Sequence, residues 1–469
     1  MRAAAPRQGL FLFGRSPFFV PEDRHLAGNV ALFCFSAFFA VRGLSPHLIT
    51  EEEHVKKRVL TIALLVAAFA VQSAGAKTLE DVLKEKGVIT EEDYKEVTKS
   101  KPLDYKLGKG FTFTSADEKF QLSLGGRMQF RYTFTDKDSD TISDTSIWQT
   151  KRIKLYTSGY AYTKDLTYVF QADFVNGSKP TLLDDAYLNY RLIDAAQVRF
   201  GQFKTPFVRQ EIISDGNLQF VDRSPVADAF KHGRDAGLML HGKIADGLAY
   251  YYAGVFGGAG QSNPRSATND NLLVGRVVVN PLGDMGLTEA ELDNSKPRLS
   301  IGASFLQNTL KKATASTYAE SVDTGATSYF GKGWLGSSLS TKFPSTSEKI
   351  NITAAGADAA FKWMGLSIQG EYLAAQADGK SSGITQRAHG FYAQAGYCII
   401  PKKLEIVGRY SYYDPDRDKN NDLQTEVAGG ASYYFDKHNL KVQADVAKLY
   451  NQVGQADDVQ YRLQAQITY

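Results

Sequence analysis

From residue 110 onward the side chains alternate between apolar and polar. Between Lys119 and Phe134, one face carries Phe120, Leu122, Leu124, Met128, Phe130, Tyr132 and Phe134, and the other Gln121, Ser123, Arg127, Gln129, Arg131 and Thr133. The C-terminus repeats the pattern, with Val459, Tyr461, Leu463, Ala465, Ile467 and Tyr469 against Gln460, Arg462, Gln464, Gln466 and Thr468. A period of two is the signature of a β-strand with two unlike faces. These runs are longer than the five or six residues usual in soluble sheets and match tilted strands that cross a bilayer.

Sixteen such strands are predicted: 119–134, 147–162, 164–175, 182–193, 196–205, 235–245, 247–258, 270–280, 297–309, 350–363, 365–377, 386–399, 402–414, 422–436, 438–450 and 457–469. The stretch 310–349 has room for one more hairpin, so fourteen or eighteen strands are the alternatives. Tight connections at 163–164, 194–195, 246–247, 365, 401 and 436–438 alternate with longer ones at 135–146, 206–234, 259–269, 310–349, 378–385 and 415–421. An even strand count, with short turns on one side and long loops on the other, predicts an all-β transmembrane antiparallel barrel. Only a closed sheet satisfies its backbone groups in lipid, and sixteen strands enclose a lumen too wide for side chains to fill. Tyr156, Tyr160, Tyr162, Tyr250, Tyr251, Tyr412, Tyr413, Tyr433, Tyr434 and Tyr469 are expected in the aromatic girdles at the membrane interfaces.

Composition agrees. The chain has 469 residues, with 41 Gly, 25 Tyr and 28 Phe against 5 Met and 2 Cys. Two cysteines exclude a disulfide scaffold. A mean hydropathy of -0.28 with 22% charged residues excludes a bundle of membrane-spanning helices.

The N-terminal part reads as processing signals. Lys56, Lys57 and Arg58 precede an apolar run from Val59 to Val71, and Ala74-Gly75-Ala76 offers a small-residue cleavage pattern. Residues 55–76 are therefore expected to be a signal peptide. Residues 1–54 are read as an extended leader or an over-extended reading frame. Residues 77–110 are expected to form a periplasmic helical arm, with Thr90 and Asp93 as a cap and Gly87 as a stop. The barrel then occupies 111–469.

Lysine and arginine total 54 against 51 acidic residues, but residues 1–76 carry 8 and 5 of these, so the remainder is balanced at 46 each. Bulk charge therefore offers no argument for an anionic partner, and no nucleic acid is expected. Any charge preference must come from local placement.

One such place surrounds the long connection 206–234. It runs from GQFKTPFVRQE (Gly201 to Glu211) through FVDRSP (Phe220 to Pro225) to GRDAGLMLHG (Gly233 to Gly242). In these elements the chain resembles the phosphate-selective porin O/P family. The resemblance implies a trimer of sixteen-stranded barrels in the Gram-negative outer membrane, among lipid and lipopolysaccharide. In that family the third extracellular loop folds inward, a role that falls here to 206–234. It implies passive diffusion of small hydrophilic solutes, with preference for inorganic phosphate or other small anions, and no cofactor. Arg223 and Arg234 match the family's motif arginines and are the first candidates for anion contact. Lys204 matches the motif lysine, but its strand parity turns it away from Arg199.

Further candidates come from the loop and from strand parity. The loop adds Arg209 and Lys231, and inward parity adds Arg127, Arg131 and Arg199, together with Arg152, Lys154, Arg191, Arg276, Arg409 and Arg462. Guanidinium forks suit phosphate oxygens, and rings of basic residues are the usual device of an anion pore. Inward carboxylates are expected at Asp173, Asp185, Glu371, Glu405 and Asp445, and pairing with them is the plain alternative role for each arginine.

Three other functions remain open on sequence: a general or sugar-type porin, an outer-membrane hydrolase and an adhesive surface protein. No HExxH, GxSxG, P-loop or CxxC pattern supports an enzyme. His389 and His438 are expected to be solvated, His241 to face the lumen, and Cys398 to be inert packing.

Overall fold

The computed structural model describes residues 83–88, 90, 92, 103–139, 142–175, 182–258, 260–261, 270–293, 296–311, 343, 349–452 and 457–469. The readings of 1–54 and 55–76, and nearly all of the 310–349 connection, lie outside these residues. The chain divides into two units, Met1–Glu85 and Lys86–Tyr469. In the first, residues 83–85 are helical.

The second unit is a barrel. Its strands are β3 (Phe120–Asp136), β4 (Thr145–Ala161), β5 (Thr163–Asp173), β6 (Leu183–Ile193), β7 (Ala196–Lys204), β8 (Arg234–Ile244), β9 (Ala249–Phe256) and β10 (Leu272–Val279). They continue as β11 (Arg298–Lys311), β12 (Lys349–Trp363), β13 (Leu366–Gly379), β14 (Thr385–Ile400), β15 (Leu404–Asp414), β16 (Gln424–Asp436), β17 (Leu440–Asn451) and β18 (Val459–Thr468). Each pairs antiparallel with the next, and β18 closes on β3 from Val459 opposite Asp136 to Thr468 opposite Arg127. All sixteen predicted strands are present, with no end shifted by more than two residues.

Two further strands precede them. β1 (Leu103–Lys106) and β2 (Gly110–Thr114) form a hairpin, and β2 pairs with the start of β3, where Phe111 lies opposite Leu124. The expected helical arm 77–110 is thus partly sheet. Phe111 and Phe113 alternate with Thr112 and Thr114, which extends the dyad pattern on a free stretch of β3 beyond the chain's C-terminus. There Tyr469 exchanges backbone hydrogen bonds with Gly126, at 2.8 and 2.9 Å.

The tight turns gather on one rim and use left-handed backbone. Tyr162, Asp246, Met364, Lys402 and Lys437 all have positive φ, and Gly365 (φ 83) follows Met364 in the two-residue turn between β12 and β13. One connection on this rim breaks the rule. Between β10 and β11 the chain takes a long excursion, whose described part is 280–293. It had no place among the tight or long connections read from sequence.

Burial is inverted relative to a soluble protein. Outward Phe130, Leu188, Phe200, Ile301, Ile368 and Tyr397 are exposed, whereas inward Gln129, Glu405, Ser411, Glu426 and Lys441 are fully buried. This is the distribution lipid requires outside the barrel and polar partners require inside. The girdle expectation is corrected for five tyrosines. Tyr156, Tyr160 and Tyr250 share the inward face with Lys154 and Lys243, and Tyr413 and Tyr434 are buried inside. In each case parity overrides the preference of tyrosine for the interface.

One irregularity moves a charge. Gln129 pairs with Arg152 and Phe130 with Thr150, so Lys151 is the extra residue of a β-bulge. Strict alternation would turn Lys151 to lipid; the bulge brings it among Arg131, Arg152, Asp222 and Asp228 inside the barrel.

Closure relies on bare backbone at the seam. A Cβ on Gly126 would stand 2.6 Å from the Tyr469 ring and 3.0 Å from the Lys154 carbonyl. Gly126→Leu is expected to cost about 2 kcal/mol by overpacking. It should lower the temperature at which the barrel unfolds on detergent gels; an unchanged transition would show that the seam tolerates the added bulk.

Candidate functional site

The connection between β7 and β8, residues 205–233, does not extend into solvent. It folds across the lumen as two short helices, α1 (Arg209–Ile212) and α2 (Pro225–Phe230), with a 3-10 turn at Asp215–Asn217 between them. Pro225 at the first turn and the Ser224 hydroxyl, which accepts from the Ala227 amide at 3.0 Å, start α2 in the usual way.

Apolar packing anchors the loop. Phe207, Val208, Val226, Ala227 and Phe230 join one buried cluster with Leu272, Val274, Leu306, Ile352, Leu373, Ala388 and Tyr413 of the inner wall. Phe230 meets Tyr413 edge-on, with ring centroids 5.6 Å apart. A polar lumen was expected throughout, but the inner face of this part of β10–β15 is apolar because it meets the loop, not water. In β12, for example, the apolar Ile350, Ile352 and Ala354 point inward and are buried, while Asn351 and Thr353 between them point outward.

Polar contacts tie the loop to both walls. Arg131 and Arg462 reach the Asp222 carboxylate at 2.7 and 3.3 Å, and Arg462 also holds Asp445 at 2.5 Å. Arg127, Arg152 and Lys154 converge on Asp215, the last two at 2.6 and 3.1 Å. On the other side, Glu371 accepts from the Arg209 amide at 2.6 Å, and Arg209 and Arg276 approach Asp358 at 3.5 and 2.6 Å. Lys441 donates to the Leu218 carbonyl at 2.8 Å, and Arg409 pairs with Glu426 at 2.7 Å.

The loop's own cations are likewise engaged. Arg223 donates to the carbonyls of Gln210 (2.8 Å) and Ile213 (2.9 Å) and pairs with Glu211 at 3.2 Å. Arg234 holds Asp185 at 2.9 Å and Asp184 at 3.5 Å, and Lys231 holds Asp228 at 2.9 Å. Lys204, expected to point away, donates to the carbonyls of Glu211 and Ile213 at 2.6 and 3.2 Å, because the chain leaves its strand there and parity no longer applies. Burial would raise the Glu211 carboxyl, but Arg223, Lys204, Lys231 and Arg234 around it hold it at about 2. These side chains stitch the constriction together, and each arginine placed here is bonded to carboxylate or carbonyl.

Two candidates differ. The Arg199 guanidinium lies 4.4 Å from the Tyr187 ring centre and 5.4 Å from that of Phe203, and its Nε has no hydrogen-bond partner. Among the described residues no carboxylate pairs with it. Lys151 has neither hydrogen bond nor ion pair among the described residues; Asp222 and Asp228 act on it only at longer range, beside Arg131 and Arg152. It was missed on sequence because a bulge cannot be read from alternation alone.

These two cations share the open side of the lumen. Along β10–β18 the inward side chains are almost all buried beneath the loop and segment 280–293, whereas inward residues of β4–β7, among them Ser158, Tyr160, Thr167, Gln171 and Arg199, stay half exposed. Arg191, expected in the lumen, lies at the rim and pairs with Asp165 at 2.6 Å. His241 faces inward as expected and meets Asn189 at 2.7 Å. His438 is buried, not solvated; burial and the adjacent Lys441 push its imidazole well below the ordinary range.

Arg223→Ala would leave the carbonyls of Gln210 and Ile213 and the Glu211 carboxylate without their partner. Unsatisfied buried groups of this kind cost about 1–3 kcal/mol each, so the loop should loosen and single-channel conductance in planar bilayers should rise. Unchanged conductance would mean the loop is held without Arg223.

Comparison with known proteins agrees with this geometry. Residues 122–469 match the family described as phosphate-selective porin O and P. An uncharacterized protein of Aquifex aeolicus (strain VF5) is 24% identical over 442 residues, spanning 82% of this chain and 93% of that one. Porin O of Pseudomonas aeruginosa is 24% identical over 363 residues, spanning 72% of this chain and 76% of its own. Among solved structures, an anion-selective porin from Comamonas acidovorans superposes with a TM-score of 0.50 at 11% identity, over 75% of this chain and 100% of that one. OmpT of Vibrio cholerae, an outer membrane protein, gives 0.50 at 10% identity, over 75% and 98%. A closed sixteen-stranded barrel, a loop folded into its lumen and a family match over most of its length together make this chain a member of the phosphate-selective porin O and P family, an outer-membrane porin of Gram-negative type.

Proposed function

We propose that this porin passes small hydrophilic solutes with a preference for anions, inorganic phosphate among them, along the arc of the lumen lined by β4–β9. The observation that carries the reading is the disposition of unpaired charge. The inward carboxylates Asp358, Glu371, Glu405 and Asp445 are buried against the loop or its partners, whereas Lys151 and Arg199 face the open side without a paired carboxylate. A passing ion therefore meets net positive charge, although the chain from Lys77 onward is neutral. In a narrow low-dielectric passage two such charges are enough to bias ion entry.

Arg209, Arg223, Arg234 and Lys231 in and beside the loop, with Arg127 and Arg131 on the wall, fix the shape of the constriction. Lys151 and Arg199, with Arg152 beside them, meet the solute. Mechanism is diffusion through water: the ammonium and guanidinium groups replace part of the anion's hydration, and the rings under Arg199 keep its planar face oriented while leaving its edge free. As the family resemblance implies, three copies associate, with their outer faces among lipid and lipopolysaccharide. The protein is a channel and not an enzyme.

A sugar-type porin is the second reading. It is favoured by the inward rings of Tyr156, Tyr160, Tyr187 and Tyr252 on the same arc, since stacked lumenal rings suit sugar faces.

Lys151→Gln combined with Arg199→Gln should lower the anion-to-cation permeability ratio by roughly threefold or more, as removal of two charges from a weakly screened passage requires. Reversal potentials in a salt gradient measure this directly. A ratio unchanged by both substitutions would defeat the anion assignment. Faster liposome swelling with maltose-like sugars than with phosphate of similar size would favour the second reading.

A further inference from the structure

The long connection on the short-turn rim has a second role that the family pattern of one inward loop does not supply. Segment 280–293 enters the lumen from the periplasmic end and meets the constriction loop near its middle. The Glu289 amide donates to the Asn217 carbonyl at 3.1 Å, and the Asn217 side chain donates to the Leu287 carbonyl at 3.2 Å. The Glu289 carboxylate then accepts from four donors: the Gln219 amide at 2.7 Å and the side chains of Gln210 (2.8 Å), Gln369 (2.8 Å) and Gln394 (3.1 Å). Gln210 and Gln219 belong to the loop; Gln369 and Gln394 belong to β13 and β14.

The segment itself is fixed to the wall. Lys362 donates to the Thr288 carbonyl and hydroxyl at 2.5 and 2.8 Å, and the Cys398 thiol meets the Glu291 carbonyl at 3.3 Å. Ala290 and Leu292 pack with Cys398 and Tyr434 in a small buried cluster. The wall thus holds the segment, and the segment holds the loop through the two Asn217 bonds and one buried carboxylate, itself only 2% exposed.

We infer that segment 280–293 is a periplasmic latch that sets the constriction, and that Glu289 is its positioning residue. A single carboxylate saturated by four donors from three different elements fixes their mutual distances more tightly than separate neutral pairs would, because charge-assisted hydrogen bonds are shorter and stronger. Released from Glu289, Gln210 and Gln219 lose their common charged partner, and the loop is left on β13 and β14 with contacts such as Arg209–Glu371, Gln219–Ser367 and Gln219–Gln394, which hold it less tightly. Glu289 touches no solute on this account. It acts through the loop, by deciding how far the loop stands from the open arc.

The test uses the full-length porin in planar bilayers. Glu289→Ala should raise single-channel conductance by about twofold and add flicker between sublevels, because the Gln219 amide loses its acceptor and three glutamine side chains keep only their weaker neutral ones. Glu289→Gln, which keeps one acceptor oxygen but brings donors to donors, should show the flicker with a smaller rise. Asp293→Ala, which removes only the exposed pair with Lys437, should match the unsubstituted protein in both. The inference rests on pore activity and not on anion preference, so conductance and flicker are its readouts. Quiet channels of unaltered conductance in Glu289→Ala would overturn the latch. Should the alanine variant fail to insert, the glutamine variant decides: flicker supports the latch, and its absence overturns it.

Discussion

A backbone in hydrocarbon has no water to satisfy its amides, so the pairing of β18 with β3 is the contact on which everything else here depends. With that seam closed, sixteen strands have no free edge in the membrane, and the outer face is left to apolar side chains. Closure at this strand number has a second consequence. It encloses a space that its own inward side chains cannot fill, which would leave a wide unselective hole. The loop 205–233 and segment 280–293 answer this from opposite ends. Their backbone polar groups, which could not exist at this depth facing lipid, are bonded to inward side chains such as Arg276, Lys441, Gln443 and Ser432.

That arrangement explains why so many charges are buried without serving the solute. An uncompensated ion inside the barrel is expensive, and removing one partner of a buried pair leaves the other stranded. Asp215 and Asp222 are each surrounded by cations from the wall, and Glu371 and Glu289 by amides of the loop. These contacts define where the loop lies more than they add stability. Under the proposed anion preference, selectivity comes from the few cations left over, and Lys151 is left over because a bulge adds one residue where the alternation had no room for an inward charge.

The strands were legible almost residue by residue, because lipid outside and water or polar loop inside impose the dyad period directly on the sequence. The inward loop was legible from its length and from the elements GQFKTPFVRQE, FVDRSP and GRDAGLMLHG. What each arginine does was not. Parity says that Arg131 points inward, but not that Asp222 waits there, since the partner lies ninety-one residues away on a loop without periodicity. Lys151, Tyr156 and Lys204 went astray for one reason: a bulge, a strand end or a preference for the interface each competes with strict alternation. Segment 280–293 escaped notice because the rule of short periplasmic turns left no category for it.

The apolar inner wall carries the same lesson into function. Inward side chains that turn apolar, as at Ile350, Ile352 and Ala354, break the rule of a polar lumen. In a porin they can only mean that something other than water covers the inner face. On β10–β15 that cover is the loop, and its absence on β4–β7 is what leaves a passage there. The path of the solute is therefore written as the complement of the apolar inner wall: where inward residues turn polar and stay half exposed, around Ser158, Thr167, Gln171 and Arg199, the barrel remains open. Under the proposed reading, a solute moving along that arc passes Lys151 and Arg199 and is kept from the carboxylates of the covered wall by the thickness of the loop.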